Sequence, residues 1–214
     1  MACKVLTDYQ REKIDKSDDC IFYATPRFVY HLDKSFRERL TQLYREHLTR
    51  NSVVLDLMSS WVSHLPNEFK FHKVIGHGLN KIELESNKRL DSFWTQDLNQ
   101  NQKLPLDDSS VDYCLMVAGW QYLQQPEEIA LELKRVLRPK GKIIVSFSNR
   151  AFWDKAPRIW THGSDSDHIN YVSSILISQG WTQPDVIAES TVVNGFFRIF
   201  GSKGDPFFSV IATN

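Results

Sequence analysis

Short apolar runs alternate with amphipathic segments from Ser52 onward. Each run has the length and the apolar content of a buried strand. The seven predicted strands cover residues 53–57, 73–75, 93–96, 113–117, 142–147, 185–189 and 207–212. Strands that alternate with helices are typical of βαβ units. The pattern therefore predicts an α/β fold, a Rossmann-like and mostly parallel seven-stranded sheet flanked by helices.

Three of the amphipathic segments have marked ends. An apolar stripe at helical spacing follows Ser35-Phe36-Arg37-Glu38, which has the spacing of a capping box, and continues to Asn51. A second helix is predicted to begin at Pro126, a residue favoured at the first helical position. A third is predicted over residues 167–179, with Gly180 as its left-handed terminator.

The first fifty residues differ from the rest of the chain. Residues 22–28, FYATPRF, mix aromatic side chains with Pro and Arg and have no regular period, which predicts an ordered arm lying on the core. A chain of 214 residues has the usual length of one domain. We therefore predict one domain over residues 1–214, with an N-terminal arm and helix over 1–50 and a Rossmann-like core over 51–214.

Charge and composition favour a small-molecule partner. Lys+Arg and Asp+Glu number 26 each, so no overall field attracts nucleic acid or an anionic membrane surface. No apolar stretch has the length of a membrane span or of a secretory signal, which predicts a cytoplasmic protein with no membrane or nucleic-acid partner. The sequence leaves the oligomeric state open between monomer and homodimer. The three cysteines, Cys3, Cys20 and Cys114, are widely spaced, and we expect reduced thiols and no structural metal.

Several motifs occur in a fixed order from residue 53 to residue 148. The first is Val53-Val54-Leu55-Asp56-Leu57-Met58-Ser59-Ser60, a buried strand that ends in an acid and two serines and is placed to enter a helix before Pro66. Further motifs follow it along the chain: Gln96-Asp97, Leu104-Pro105-Leu106-Asp107, and Arg135-Val136-Leu137-Arg138-Pro139-Lys140-Gly141. Together they resemble the class I S-adenosylmethionine-dependent methyltransferases, and within these the methyltransferase type 11 group. A weaker likeness occurs at residues 205–211.

The resemblance implies S-adenosylmethionine as cofactor and assigns roles to the turns after four strands. In the family, the loop after strand one surrounds the methionine part, an acid after strand two holds the ribose hydroxyls, an acid after strand three binds the adenine amino group, and residues after strand four line the pocket. The residues implied in cofactor binding here are Asp56, Leu57, Met58, Ser59, Ser60, Gly78, Leu79, Gln96, Asp97, Val117 and Ala118.

Two departures from the family pattern bear on cofactor affinity. Met58, Ser60 and Val62 stand where the family has glycines, but a cofactor without a phosphate makes fewer demands on that loop. Gly78 stands where the family has the ribose acid. A charge-assisted hydrogen bond contributes about 1.5–3 kcal/mol, so we expect roughly 10- to 100-fold weaker yet measurable binding unless His77 or Asn80 compensates.

The acceptor side is predicted from the arm and from residues after strands four and five. The candidates for acceptor binding are Tyr23, Arg27, Trp120, Asn149, Arg150 and Trp153. His31 is the candidate catalytic residue, because an imidazole titrates near neutrality and accepts a proton from a hydroxyl or an amine. The predicted function is methyl transfer to a small organic acceptor, with no metal, and the aromatic residues favour a planar or hydrophobic acceptor.

Three alternatives remain open on sequence grounds. A binding protein that has lost transfer activity fits the altered loop, and a pocket filled by Met58 or Trp61 would favour it. A nicotinamide-dependent reductase would carry a glycine-rich turn and a Tyr-x-x-x-Lys pair, but Tyr171 is followed four residues later by Ile175. Metal-assisted hydrolysis would use the acids and histidines of residues 162–168, which a polar loop capped by its own acids also explains.

Overall fold

Seven strands form one sheet in the part of the chain that a computed structural model describes, residues 1–189 and 204–214. The strands are β1 (Val53–Leu57), β2 (Lys73–Gly78), β3 (Ser92–Thr95), β4 (Val111–Val117), β5 (Leu137–Phe147), β6 (Asp185–Glu189) and β7 (Phe207–Thr213). Their order is β3-β2-β1-β4-β5-β7-β6. The first five pair in parallel, whereas β7 is antiparallel to β5 and to β6. The predicted α/β fold with a mostly parallel seven-stranded sheet is confirmed.

Helices precede the sheet and flank it. The segment before β1 contains α1 (Asp8–Arg11), α2 (Asp19–Phe22) and α3 (Lys34–His47). The later helices are α4 (Lys81–Ser86), α5 (Pro126–Val136), α6 (Arg158–Thr161) and α7 (Asp165–Ser178), with 3₁₀ turns at Trp120–Tyr122 and Trp153–Lys155. No helix in the described ranges is long and apolar enough to cross a membrane.

The helices bury opposite faces of the sheet. Successive side chains of a strand point to opposite faces. Val54 and Leu115 therefore lie in one apolar cluster, together with the buried residues of α3. Leu55 and Met116 lie in the other cluster, together with the apolar stripes of α5 and α7. Burying one large apolar side chain stabilises a fold by about 1.5–3 kcal/mol, so both faces contribute to the core.

The ends of α3 differ from the prediction. Its N-cap is Asp33, whose carboxylate accepts from the Phe36 backbone N–H at 2.8 Å, so the capping box predicted at Ser35 is wrong. The helix ends at His47 and not at Asn51. Leu48 is the C-cap and adopts an extended conformation with a ψ of 150°, which ends the helix before Asn51.

The start of α7 also differs from the prediction. The helix begins at Asp165, and its N-cap is Ser164, whose hydroxyl accepts from the Asp167 backbone N–H. The Asp167 side chain accepts in turn from the Ser164 backbone N–H, which completes a capping box. Neither acid is the N-cap that the sequence suggested. Gly180 follows the helix with a φ of 79°, which confirms its predicted role as terminator.

The segment after β1 is an irregular loop, although the sequence predicted a helix there before Pro66. The hydroxyls of Ser59 and Ser63 both donate to the Asp56 carboxylate. Side-chain bonds of this local kind compete with the backbone bonds of a helix. Pro66 removes a further helical N–H. Residues 58–72 therefore form no helix, and the part from Ser59 to Ser63 is bonded to Asp56 through its side chains.

The N-terminal arm is attached to α4 by hydrogen bonds between distant parts of the chain. Asn80 Nδ2 donates to the carbonyl oxygens of Tyr23 and Ala24 at 2.8 and 3.0 Å. Glu83 Oε1 accepts from the Arg27 backbone N–H at 2.7 Å. These bonds place the arm at the carboxyl ends of the parallel strands.

Candidate functional site

A cavity of about 630 Å³ lies at the carboxyl edge of the sheet. Its walls are the segments that follow β1, β2, β3, β4 and β5, together with the N-terminal arm. The strand order reverses between β1 and β4, which is where open α/β sheets bind ligands. Its volume is within the ~300–1,000 Å³ usual for small-molecule sites. Met58 and Trp61 line the cavity and leave it open.

The structure brings most of the predicted site residues together around this cavity. From the cofactor set, the lining residues are Asp56, Met58, Ser59, Ser60, Gly78, Leu79, Gln96, Asp97, Val117 and Ala118. From the acceptor set and the catalytic candidate, they are Tyr23, Arg27, His31, Asn149, Arg150 and Trp153.

Leu57 and Trp120 do not line the cavity. Leu57 alternates with Asp56 along β1, so its side chain points to the opposite face and packs in the core with α5 and α7. Trp120 is buried in the same cluster, beneath the 3₁₀ turn that it begins. The next two residues of that turn, Gln121 and Tyr122, line the cavity instead. Neither residue was predicted, because nothing in the sequence pattern indicates which side chain of this turn faces the cavity.

Asp56 organises the loop after β1. Its Oδ2 accepts from the Ser59 hydroxyl at 2.7 Å and from the Ser63 hydroxyl. Burial raises the pKa of Asp56, and the two serine hydroxyls act against that rise. Asn87 extends the network by donating to Ser63 Oγ at 3.0 Å and to the Ser60 carbonyl oxygen at 2.9 Å. The carboxylate thus holds the loop at one end of the cavity.

Met58 adopts the backbone conformation that glycine would adopt more easily. Its φ is 56°, in the left-handed region, whereas Ser60 and Val62 have negative φ. A left-handed residue with a side chain costs about 1–2 kcal/mol. The Met58 side chain lies over Gly119, where an added Cβ would be 2.9 Å from the Met58 Cβ. Of the three positions where the family has glycines, only position 58 requires a left-handed backbone conformation, and Met58 adopts it.

Gly78 allows the β1 loop to approach the end of β2. A Cβ at this position would lie 2.5 Å from the Ser59 carbonyl oxygen. The Ser59 backbone N–H also donates to the His77 carbonyl oxygen at 2.6 Å, so the loop crosses the strand end in direct contact. No acid fits at this position in this chain, because any side chain would displace the loop.

His77 and Asn80 do not supply the missing acid. His77 is buried, with Nδ1 accepting from the Met58 backbone N–H at 3.2 Å and Nε2 lying 2.9 Å from the Gln96 carbonyl oxygen. These contacts fix the neutral tautomer with the proton on Nε2. Asn80 caps α4 through its Oδ1 and holds the arm through its Nδ2. Both side chains are fully engaged within the protein.

Glu83 is the acid that the sequence analysis missed. It lies in the first turn of α4, is buried and lines the cavity. Its Oε2 accepts from the Ser60 hydroxyl at 2.5 Å, and its Oε1 accepts from the Arg27 backbone N–H. Asn80-x-x-Glu83 has the spacing of a capping box, which was the available signal for a helix start just after β2. This carboxylate therefore occupies the region in which the family acid was expected.

His77 leads to a prediction for the pH dependence of stability. Burial lowers the pKa of His77 to about 4, so its stabilising contribution is complete above pH 6.5 and is lost as the pH falls towards 4. We expect the free energy of unfolding to fall by about 2 kcal/mol more between pH 7 and pH 5 in the wild type than in His77→Gln. Urea denaturation at both pH values measures this difference. Equal pH dependence in the two proteins would contradict the assigned tautomer and burial.

Gln96 and Asp97 follow β3 and play different parts. The Gln96 side chain is used internally: Oε1 accepts from Trp94 Nε1 at 3.1 Å, and Nε2 donates to the carbonyl oxygens of Asn101 and Lys103. Asp97 Oδ1 accepts from the Asn99 backbone N–H at 2.8 Å. Burial raises the pKa of Asp97. Asp97 thus presents a half-buried carboxylate to the cavity, whereas Gln96 supports its wall.

The end of the cavity beneath the arm is formed by aromatic rings, the Arg27 guanidinium and the His31 imidazole. The ring of Phe152 lies 5.7 Å from that of His31 and 6.2 Å from that of Tyr122. The Arg27 guanidinium lies 5.5 Å from the same ring. Burial lowers the pKa of His31, so its imidazole is neutral at pH 7 and able to accept a proton.

Three buried polar atoms of cavity residues have neither a hydrogen bond nor an ion pair in the described part of the chain. One is Arg27 Nη1, and the other two are the Tyr44 hydroxyl and Gln121 Oε1. Burial and the nearby Asp56 carboxylate raise the pKa of Tyr44 well above its ordinary value. Buried polar groups in proteins normally have partners, so these three atoms indicate the places where a bound ligand completes the site.

The segment proposed for metal-assisted hydrolysis has a structural role. Asp167 completes the capping box of α7 with Ser164. His168 is buried, stacks on Trp160 with the ring centroids 3.8 Å apart, and its Nε2 lies 2.8 Å from the Trp160 carbonyl oxygen. These contacts lie outside the residues that line the cavity.

Residues 63–145 match the sequence profile of the family described as Methyltransferase domain, Methyltransf_11. A malonyl-[acyl-carrier protein] O-methyltransferase of Hahella chejuensis is 25% identical over 175 residues, which cover 77% of this chain and 62% of that protein. The chain therefore spans less than two thirds of the length of this relative.

Solved methyltransferase structures have the same fold. A SAM-dependent methyltransferase from Aquifex aeolicus superposes with a TM-score of 0.56 at 19% identity, covering 83% of this chain and 88% of that one. The phosphoethanolamine N-methyltransferase 2 of Haemonchus contortus was solved in complex with phosphomonomethylethanolamine and S-adenosylhomocysteine. It superposes with a TM-score of 0.60 at 12% identity, covering 86% of this chain and 54% of that one. At these identities the likeness shows the fold alone.

Proposed function

Because the chain belongs to the class I S-adenosylmethionine-dependent methyltransferase superfamily, we propose that it transfers a methyl group to a small organic acceptor held beneath its N-terminal arm. S-adenosylmethionine is the cofactor of this superfamily, and when bound it supplies an electrophilic methyl group on a positively charged sulfur. The observation that carries the proposal is the open cavity, which is continuous from the β1 loop to the aromatic rings of the arm.

The residues around the cavity fit this cofactor. Asp56, Glu83 and Asp97 place three carboxylates along the strand ends, and negative charge there complements a cationic ligand. The unpartnered Tyr44 hydroxyl and Gln121 Oε1 offer further hydrogen bonds. We assign the loop from Asp56 to Ser60 to the methionine part, Glu83 to the ribose hydroxyls, Asp97 to the adenine, and Val117 and Ala118 to the floor. Each Glu83 oxygen accepts one hydrogen bond within the protein and keeps a second lone pair for a ribose hydroxyl. Glu83 thereby replaces the acid that Gly78 lacks.

The acceptor end acts mainly by holding the nucleophile in place. Positioning of two reactants is a large part of the rate enhancement in reactions of this kind and needs few chemical groups. Tyr23, Trp153 and Phe152 bound the acceptor with aromatic surface, and Asn149 and Arg150 lie at the same end. His31 accepts the proton of an acceptor hydroxyl or amine through its neutral imidazole.

Exchange of His31 for alanine tests that last role. We expect turnover to fall roughly 100-fold or more, because a positioned general base contributes about that factor, while S-adenosylhomocysteine affinity stays unchanged. His72→Ala, at an exposed position away from the cavity, is the matched control. Unchanged turnover in His31→Ala, measured as S-adenosylhomocysteine formation, would remove His31 from the mechanism.

A transfer assay tests the function itself. The full chain is incubated with S-adenosylmethionine and panels of phenols, amines and carboxylic acids, and S-adenosylhomocysteine release is followed. We expect release above background with at least one class of planar acceptor. Cofactor binding without release in any panel would instead support the alternative of a binding protein that has lost transfer activity.

A further inference from the structure

Arg27 lies in the wall of the cavity with one of its donor groups unsatisfied. Its guanidinium carbon lies 4.6, 5.4 and 5.5 Å from the ring centroids of Phe22, Tyr23 and Phe152. Nη2 donates to the Phe22 carbonyl oxygen at 2.9 Å, whereas Nη1 is buried and has no acceptor among residues 1–189 and 204–214. A buried donor on a charged group is unfavourable without an acceptor. Nη1 therefore keeps the capacity to donate to an acceptor.

The other arginines of the cavity already have acceptors within the protein. Arg150 Nε donates to Asp205 Oδ1 at 2.5 Å. Arg37 Nε donates to two backbone carbonyl oxygens at 3.2 Å, and its guanidinium lies over the ring of Tyr30. Arg27 differs from both, because its buried Nη1 contacts no acceptor in the described chain.

The acid that bonds to the Arg27 backbone forms no ion pair with the Arg27 guanidinium. The Glu83 carboxylate accepts from the Arg27 backbone N–H and from the Ser60 hydroxyl, one bond to each oxygen. The guanidinium itself has no ion-pair partner in the described residues. The positive charge at this end of the cavity is therefore compensated by aromatic faces and one carbonyl oxygen, and a bound anion would compensate it further.

The surroundings of Arg27 limit the kind of anion. Tyr23, Tyr122, Phe152 and Trp153 line the same end with aromatic rings. The two N–H groups of Nη1 match the oxygens of one carboxylate, whereas a phosphate presents three charged oxygens and needs more donors. The aromatic rings suit a planar or apolar body attached to that carboxylate.

We propose that the acceptor carries a carboxylate on a planar or apolar body and that Arg27 Nη1 donates to that carboxylate. Arg27 is then the residue that determines acceptor specificity, while the methyl group goes to a hydroxyl or amine elsewhere on the same molecule. This inference rests on the proposed function, because it assigns the end of the cavity beneath the arm to the acceptor.

Calorimetric titration with benzoate and benzamide tests the inference on the full chain saturated with S-adenosylhomocysteine. The two probes share a ring and differ in charge. We expect benzoate to bind at least roughly 10-fold more tightly than benzamide. Arg27→Gln should weaken benzoate roughly 10- to 100-fold, with benzamide and S-adenosylhomocysteine affinities unchanged, and Arg27→Lys should restore part of the loss. Arg45→Gln, at an exposed position, is the matched control.

Equal affinities for benzoate and benzamide would overturn the proposal, as would an Arg27→Gln variant that binds benzoate like the wild type. Tighter binding of phenyl phosphate than of benzoate would overturn the choice of a carboxylate. A chain that fails to bind S-adenosylhomocysteine contradicts the proposed function. The comparison of benzoate with benzamide is repeated without S-adenosylhomocysteine. The assignment of Arg27 is therefore tested independently of the proposed function.

Discussion

Replacing Asp56 with alanine is expected to weaken S-adenosylhomocysteine binding at least roughly 100-fold and to lower the free energy of unfolding by about 3 kcal/mol. The buried carboxylate accepts from the Ser59 and Ser63 hydroxyls, and its removal leaves both without this acceptor. The loop then loses the bonds that hold it at the carboxyl edge, in the absence of a helix to order it. Calorimetric titration and urea denaturation measure the two losses.

A matched pair of variants separates the loop from general stability. Asp56→Asn keeps one carbonyl oxygen as an acceptor, so it should retain more affinity than Asp56→Ala. Asp91→Ala removes a carboxylate that accepts from the Val74 backbone N–H at 2.7 Å, at the opposite edge of the sheet. It should lower stability without lowering affinity. Equal loss of affinity in Asp56→Ala and Asp91→Ala would contradict the role given to Asp56.

Introducing the family acid at Gly78 is expected to destroy the site and not to improve it. In Gly78→Asp, the new Cβ would lie 2.5 Å from the Ser59 carbonyl oxygen, which is closer than side chains tolerate. The β1 loop must move, and the cavity loses the wall that Ser59 and Ser60 provide. We expect S-adenosylhomocysteine affinity to fall roughly 100-fold or more, measured by calorimetry.

A size series tests the cause of that loss. Gly78→Ala introduces the Cβ without a charge and should produce most of the same effect. Gly163→Ala is the control, because a Cβ there approaches other atoms no closer than 3.2 Å and lies outside the cavity. Tighter binding in Gly78→Asp than in the wild type would show that the loop is free to move and that the acid is the missing group.

The strands of the sheet are predictable because each one is locally encoded. The run at 53–57 matches β1 residue for residue, since a buried strand is apolar along its own length. The run at 185–189 also matches β6, an exposed edge strand whose three apolar residues lie between two acids. The end of β2 is less apolar, and the prediction stopped at Ile75 although the strand continues through His77 to Gly78. Those two residues belong to the site, which is where local patterns are least informative.

The loop after β1 and the turn after β4 are not predictable in the same way. Side-chain bonds from Ser59 and Ser63 to Asp56 replaced the predicted helix, and only the folded geometry shows that these groups meet. In the turn after β4, Trp120 lies in the core, and the next residue, Gln121, lines the cavity. Both outcomes depend on contacts between elements and not on sequence spacing.

The position of the arm also depends on long-range contacts. The Arg27 backbone bonds to Glu83, a residue far along the chain, and Tyr23 bonds to Asn80 in the same helix turn. Both arm residues were predicted near the acceptor from their chemistry, whereas Glu83 was missed, because its local signal, the Asn80-x-x-Glu83 spacing, marks a helix start and not a contact with the arm. The division at residue 50, the cytoplasmic location and the monomeric or homodimeric state remain predictions.

Titration of S-adenosylhomocysteine into the full chain tests the central claim most directly, namely that a β1 loop without glycine still leaves a binding site at the carboxyl edge of the sheet. We expect saturable heat with one ligand per chain at submillimolar concentration and a matching rise in the melting temperature. Neither heat nor a thermal shift at millimolar ligand would contradict the claim, and the cavity would then serve another ligand.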